Sequence, residues 1–479
     1  MQGDGLDLYR LTDRLSRRIE DAFDGLGSAV FDPVIRLGVT GLSRAGKTVF
    51  ITSLVANLLD RGRMPQLRAA AEGRILAAYL QPQPDHTLPR FAYEDHLDDL
   101  LGPEPSWPES TRSISTLRLS LRVMPTGLLT GLTGARTVHL DIVDYPGEWL
   151  LDLPLMDLGY AEWSEAAMAT ARAPGRAVHA DPWLGAVEAT DPAAALDETV
   201  ARELAAGFTA YLAAARVAGF SSVAPGRFLM PGDLEGSPAL TFSPLLRPER
   251  TPSNSLWRAF ERRFEAYKRV VVAPFFRNHF SRLDRQVVLI DALGAIHDGP
   301  RAVEDLRNAM AEILACFRPG ARSWLAPIMG RRIDRILFAA TKADHLHHSQ
   351  HPRLAAITEA LVADARARAQ FRGATTQALA IASLRATIEQ TVTRDGRSVD
   401  IVRGRSAETG EAVALYPGNL PEDPAALLAP ARQGAEDWTD AAYRNTRFAP
   451  PRLTLAPGDG PPHIRLDRAA EFLIGDRLS

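Results

Sequence analysis

The chain has 479 residues, of which 46% are hydrophobic and 24% charged, and its net charge is −3. It can bury a sizeable core, as about three domains or as one with large insertions, and its balance excludes a strongly basic nucleic-acid binder and a mostly disordered chain. The single cysteine, Cys316, excludes an intramolecular disulfide framework and a zinc site of several cysteines; with no spanning-length apolar run and no signal-like start, a soluble cytoplasmic protein is expected.

In chain order, residues 5–24 place Leu8, Leu11, Leu15, Ile19 and Phe23 at helical spacing. This predicts an amphipathic helix within 1–32, which packs on the following domain or touches a membrane surface. Residues 34–42 form a β-rich run ending in a glycine turn, and 48–59 read as helix. The stretch 62–110 reads as a helical insert with proline breaks. Residues 113–123 and 137–143 read as strands that pair as an antiparallel hairpin. Helical patterns at 161–171, 193–217 and 257–280, around a proline-rich loop at 222–253, make 150–285 a helical insertion. Strand and helix then alternate: 287–291 strand, 303–316 helix, 336–340 strand, 353–369 helix, 377–382 strand. This closes a second part of the core domain at 286–388, its first part being 33–149, and the alternation means α/β with a largely parallel sheet. Residues 389–479 read as a C-terminal extension, with a hairpin turning at Asp395-Gly396 and a short closing helix at 466–478.

Gly41-Leu42-Ser43-Arg44-Ala45-Gly46-Lys47-Thr48 matches G-x-x-x-x-G-K-[ST] in full, between a predicted strand and a predicted helix. Its glycines let backbone wrap phosphates, and the N–H groups of Ser43 to Val49 and the helix N-terminus face the anion. Lys47 is expected to contact the β and γ phosphates and Thr48 to ligate Mg²⁺. Asp144-Tyr145-Pro146-Gly147 ends a predicted strand, so Asp144 is expected to reach Mg²⁺ and the Gly147 amide to sense the γ-phosphate. Asp291-Ala292-Leu293-Gly294 is a second D-x-x-G. We prefer the first copy, because Glu148-Trp149-Leu150-Leu151 after it reads as a switch helix, and take Asp291 as a supporting acid. Thr341-Lys342-Ala343-Asp344 is the guanine-reading [NT]-K-x-D. Asp344 can accept from guanine N1–H and the N2 amine, and the stem of Lys342 can cover the base. Only Lys47, Lys268 and Lys342 among 55 basic residues are lysines, and two of them fall at motif positions, which chance placement rarely achieves. The loop Ser383-Leu384-Arg385 is expected to offer an N–H to guanine O6. Thr111 is the preferred switch threonine for Mg²⁺, with Ser110, Ser113 and Thr116 as alternatives.

Order and spacing of G-L-S-R-A-G-K-T-V-F-I-T-S-L, D-Y-P-G-E-W-L-L-D-L-P-L, T-K-A-D and A-S-L-R-A-T resemble the YcjX-like P-loop GTPases of bacteria. The resemblance covers most of the chain. It implies a Ras-like G domain with a mostly parallel sheet, a large helical insertion and a small C-terminal β-containing extension, and a loose association with stress responses. Two positions depart from common small GTPases. Glu148 stands where a glutamine often orients the attacking water, which predicts slow turnover, and Arg44 stands where some carry a cation-holding asparagine. Lys47, Arg44 and Glu148 are therefore the catalytic expectations.

His345, His347, His348 and His351 cluster after Asp344. His347 and His351 have the i,i+4 spacing of metal ligands if helical; otherwise the segment is a solvated loop beside the base. The expected activity is that of a GTP-binding switch with slow Mg²⁺-dependent hydrolysis, cycling between GTP and GDP and acting on an unidentified protein effector, without a nucleic-acid partner. The alternatives are an ATP-dependent P-loop ATPase and a helical interaction scaffold with a structural nucleotide.

Overall fold

The computed structural model describes residues 32–479 apart from Ser43, Pro84, 110–112, 127–133, 316–332, Arg372, Asp395 and 439–442. The expected N-terminal helix, Ser43, Thr111 and Cys316 lie outside the described residues.

The strands are β1 (Val34–Gly41), β2 (Ile75–Gln81), β3 (Ser115–Val123), β4 (Arg136–Asp144), β5 (Arg285–Ile290), β6 (Arg335–Ala340), β7 (Thr375–Ala380), β8 (Thr387–Arg394), β9 (Arg397–Arg405) and β10 (Ala412–Leu415). The first seven form one sheet in the order β2-β3-β4-β1-β5-β6-β7. From β4 to β7 every pairing is parallel, while β2 pairs antiparallel with β3 and β3 antiparallel with β4. This is a mostly parallel α/β sheet with an antiparallel flank. The hairpin β3–β4 pairs Ser115 with Asp144 and Val123 with Arg136.

Val287–Ile290 of β5 and Ile336–Ala340 of β6 are apolar throughout because both faces of these strands are covered. Val287, Leu289, Leu337 and Ala339 point to one side, against Phe50, Ile51 and Leu54 of the helix Lys47–Leu59 and Leu466 and Leu473 of the helix Leu466–Ile474. Val288, Ile290, Ile336 and Phe338 point to the other, into a larger core shared with the helical insertion.

Two local expectations differ from what is observed. The stretch 62–110 carries the helix Tyr93–Leu101 but also β2, which extends the sheet edge beside β3. Its run Ile-Leu-Ala-Ala-Tyr-Leu-Gln has no clean alternation because it is an edge strand with partly buried residues on both faces. The closing helix expected at 466–478 is α-helical only over Leu466–Ile474 and ends in a 3-10 turn, Gly475–Arg477; it packs on the central sheet. Arg285 donates to Leu473 O at 3.1 Å and Arg335 to Phe472 O at 2.6 Å, fastening the helix end to β5 and β6.

The insertion holds the helices Tyr160–Ala171, Ala177–Glu188, Glu198–Val217 and Leu256–Tyr267, the last continuing through one π-turn into Ala273–Asn278. The second of these was not expected, since Pro182 interrupts its pattern. Aromatic rings fill their shared interior: Trp163 stacks on Phe264 at 4.9 Å and Trp183 on Tyr211 at 5.5 Å. Burying such rings supplies most of the apolar area that holds the helices together. No helix of the described residues is long and apolar enough to cross a membrane.

Candidate functional site

In an open parallel sheet the strand C-termini deliver residues to one edge, where ligands bind. Here β1 delivers Gly41, β4 Asp144, β5 Asp291, β6 Thr341 and β7 Ile381 to that edge.

The first loop leaves β1 at Gly41 and enters a helix at Lys47. Gly46 has φ +81°, and a Cβ on Gly41 would lie 2.7 Å from Leu289 O and 2.9 Å from Ala45 Cβ. Both glycines are therefore required by backbone conformation or close approach, as a cradle for an anion demands. Lys47 Nζ donates to Gly41 O at 2.8 Å, spanning the loop. Thr48 and Val49 follow in the first helical turn, with Thr48 buried. Arg44 sits at φ +66° and is exposed. Its charge reaches Asp298, whose carboxyl is pushed up by burial and pulled back by His297, Arg44 and Lys342.

Asp144 ends β4 and is buried. The chain then turns so that Gly147 lies directly on the phosphate-type loop: a Cβ there would be 2.0 Å from Gly41 O. The helix expected at Glu148–Leu151 is part of a 3-10 helix, Gly147–Asp157, with Pro154 inside it. A proline removes one N–H and crowds the preceding turn, and long 3-10 runs are uncommon outside strained or mobile functional segments.

This segment faces the insertion. Glu148, 3% exposed, has its carboxylate 3.7 Å from Arg216 on the helix Glu198–Val217. Glu148, which stands at the position where a glutamine often orients the attacking water, is here an ion-pair partner of the insertion. Asp152 is fully enclosed and accepts from Gly226 N–H at 2.6 Å and Tyr267 hydroxyl at 2.6 Å. Burial raises its carboxyl to about 6 against these bonds.

The second D-x-x-G resolves differently. Asp291 caps the helix Ala292–Asp298, accepting from Gly294 N–H at 3.0 Å, and its other oxygen pairs with Lys342 Nζ. It is a supporting acid that steers the lysine. Lys342 itself adopts the left-handed conformation, φ +59°.

Thr341 and Asp344 are buried. Asp344 Oδ2 accepts from Ala386 N–H at 2.8 Å, and Asp344 O accepts from the Thr387 hydroxyl. The Ser383-Leu384-Arg385 loop is thus brought against Asp344, with Ser383 and Leu384 buried. Sequence reasoning missed Ala386, whose contribution is a backbone N–H that no side-chain pattern signals. It also missed the support beneath. His351 Nε2 donates to Ala343 O at 2.8 Å while Arg465 donates to His351 Nδ1 at 2.9 Å, which fixes one neutral tautomer. His347 lies before the helix His351–Leu361, so the two are not on one helical face. His345 contacts Asn445 at 2.8 Å.

The edge therefore gathers a glycine-lined anion loop with a lysine and a threonine, an acid at Asp144, and a buried carboxylate in the T-K-x-D turn. Comparison with known proteins finds relatives over nearly the whole chain. The Ras-like GTPase YcjX of Escherichia coli (strain K12) is 37% identical over 475 residues, covering 96% of this chain and all of that protein. The Ras-like GTPase YcjX of Shewanella oneidensis is 35% identical over 474 residues, covering 93% of this chain and 95% of that one. The YcjX-like family, DUF463, matches residues 35–478, and the chain belongs to that family.

Proposed function

We propose that the chain is a cytoplasmic GTP-binding switch that hydrolyses GTP slowly and acts on a protein effector, in the stress-related setting the family resemblance implies. The observation that carries the guanine assignment is Asp344, buried at the sheet edge and held at one oxygen by Ala386 N–H, beside the loop of Lys47. A carboxylate fixed there offers its other oxygen to a ligand with N–H donors, which guanine has and adenine lacks at the matching positions. The relatives' name, Ras-like GTPase, supports the same nucleotide.

Gly41 and Gly46 leave backbone room for phosphates, and Lys47 is the cation for their charge. Thr48 and Asp144 fit as holders of Mg²⁺, being an oxygen pair at the loop and at β4. When bound, Mg²⁺ neutralises charge on the phosphates. Hydrolysis is attack of water on the γ-phosphorus of GTP, with GDP as leaving group. The Glu148–Arg216 pair occupies the residue after Gly147 and favours slow turnover. Contacts of Glu148 and Asp152 with the insertion give the segment beside the γ-phosphate position a route to the helices.

Competition binding with labelled GDP against GTP and ATP, followed by single-turnover hydrolysis, tests this. GTP is expected to displace the label and ATP to fail. Displacement by ATP at equal concentration supports an ATPase instead, and binding without any turnover supports a scaffold with a structural nucleotide.

A further inference from the structure

We propose that His347, His348 and Glu389 form a site for a borderline divalent transition ion, Zn²⁺ being the best chemical match, which clamps the loop after the T-K-x-D turn to β8. The two histidines lie between Asp344 and the helix His351–Leu361, and Glu389 is on β8. One ligand atom from each lies within 4.8 Å of the others. His347 Nε2 is 3.7 Å from Glu389 Oε2, and His348 Nδ1 is 2.5 Å from the same oxygen. A tetrahedral Zn²⁺ with bonds near 2.1 Å holds its ligand atoms about 3.4 Å apart. The first separation already suits it. The second needs His348 to move out by about 1 Å on that geometry, and this ring is 68% exposed and free to swing.

The surroundings are those of a supported ligand set rather than a solvated face. The His347 side chain is only 13% exposed, and its other nitrogen, Nδ1, is 3.4 Å from Asp400 and 2.9 Å from Ser349 Oγ. A carboxylate behind one imidazole nitrogen aims the other at a metal and raises its basicity. The second oxygen of Asp400 side accepts from the Thr391 hydroxyl at 2.8 Å, which holds that carboxylate in place. Arg385 takes Glu389 Oε1 at 3.2 Å and leaves Oε2 toward the histidines. Two imidazoles and one carboxylate select Zn²⁺-like ions over Mg²⁺, which prefers oxygen, so this site is separate from that of the nucleotide. Its place has a consequence: β8 begins at Thr387, beside the Ala386 N–H that holds Asp344, so the ion would join the two segments flanking that carboxylate.

The test uses the untagged full chain, stripped by a chelator and titrated with Co²⁺ while visible absorption is followed. The expected result is one equivalent bound with the intense bands of a tetrahedral nitrogen–oxygen site, displaced by Zn²⁺ and not by Mg²⁺. His347→Ala, His348→Ala and Glu389→Gln should each abolish the bands, with the metal-free circular dichroism of each unchanged. Asp400→Asn should weaken binding roughly tenfold while keeping the bands. The exposed position of His348 keeps the test readable should the other two variants misfold. Absence of a stoichiometric ion in the parent, or parent-like bands in His348→Ala, would overturn the site.

Discussion

Asp344→Asn isolates the base-reading carboxylate. Asp344 is 3% exposed, and its Oδ2 is committed to Ala386 N–H at 2.8 Å. In the variant the amide oxygen must take over that bond, because turning the NH₂ toward Ala386 would set two donors face to face. The NH₂ therefore occupies the place of Oδ1, toward the base. Two charge-assisted bonds from guanine are lost, at about 1.5–3 kcal/mol each. The sum, roughly 3–6 kcal/mol, is a loss of about 10² to 10⁴ in GTP affinity. Xanthine carries a carbonyl where guanine carries its amine, and it accepts from the new NH₂. XTP should accordingly gain while GTP weakens, with phosphate contacts untouched. Labelled-nucleotide displacement on parent and variant measures both affinities. An unaltered preference for GTP over XTP in Asp344→Asn would refute the assignment of this carboxylate to the base.

Three further outcomes follow from the same geometry. Gly147→Ala places a methyl 2.0 Å from Gly41 O, a backbone atom that cannot turn aside, so the 3-10 segment must lift off the loop; limited proteolysis should cut the variant after Pro146 sooner than the parent, and equal cutting rates would contradict the close packing. Arg216→Ala strips the buried Glu148 carboxylate of this cation, and thermal or urea unfolding should show a loss of about 1–3 kcal/mol, less than a fully buried pair because Arg216 is partly exposed; Glu148→Gln in the same chain should restore most of it, and no rescue would mean that the pair is not what Arg216 contributes. His351 is held below the ordinary 6.5 by burial first and then by Arg465. The folded state therefore favours neutral imidazole, its contribution is complete above pH 6.5, and it declines as pH falls through 6.5 and the lowered folded value; melting temperatures of parent and His351→Gln should differ by a constant gap above that pH and draw together below it, and parallel curves throughout would remove His351 from the acid response.

The elements legible in the residues alone are those whose signals are local. A strand, a glycine turn and a helix in succession follow from residues 34–59, since apolar β-branched residues, glycines of special conformation and a helical run each act within a few positions. The class of the fold follows from strand–helix alternation after residue 285 for the same reason. Tertiary structure decided matters that depend on partners distant in sequence. It made residues 75–81 an edge strand, because β3 offered an unpaired ladder, although the segment has no alternation of its own. It separated two copies of D-x-x-G that look alike on the page. Asp144 ends β4 with Gly147 pressed on Gly41, whereas Asp291 caps its own helix and pairs with Lys342. It turned Glu148 to Arg216, 68 positions further along, and put His351, with Arg465 behind it, under the T-K-x-D turn rather than on a helical face shared with His347. A motif names the chemistry a side chain can do; the burial and charge that set its direction come from residues that only folding brings near.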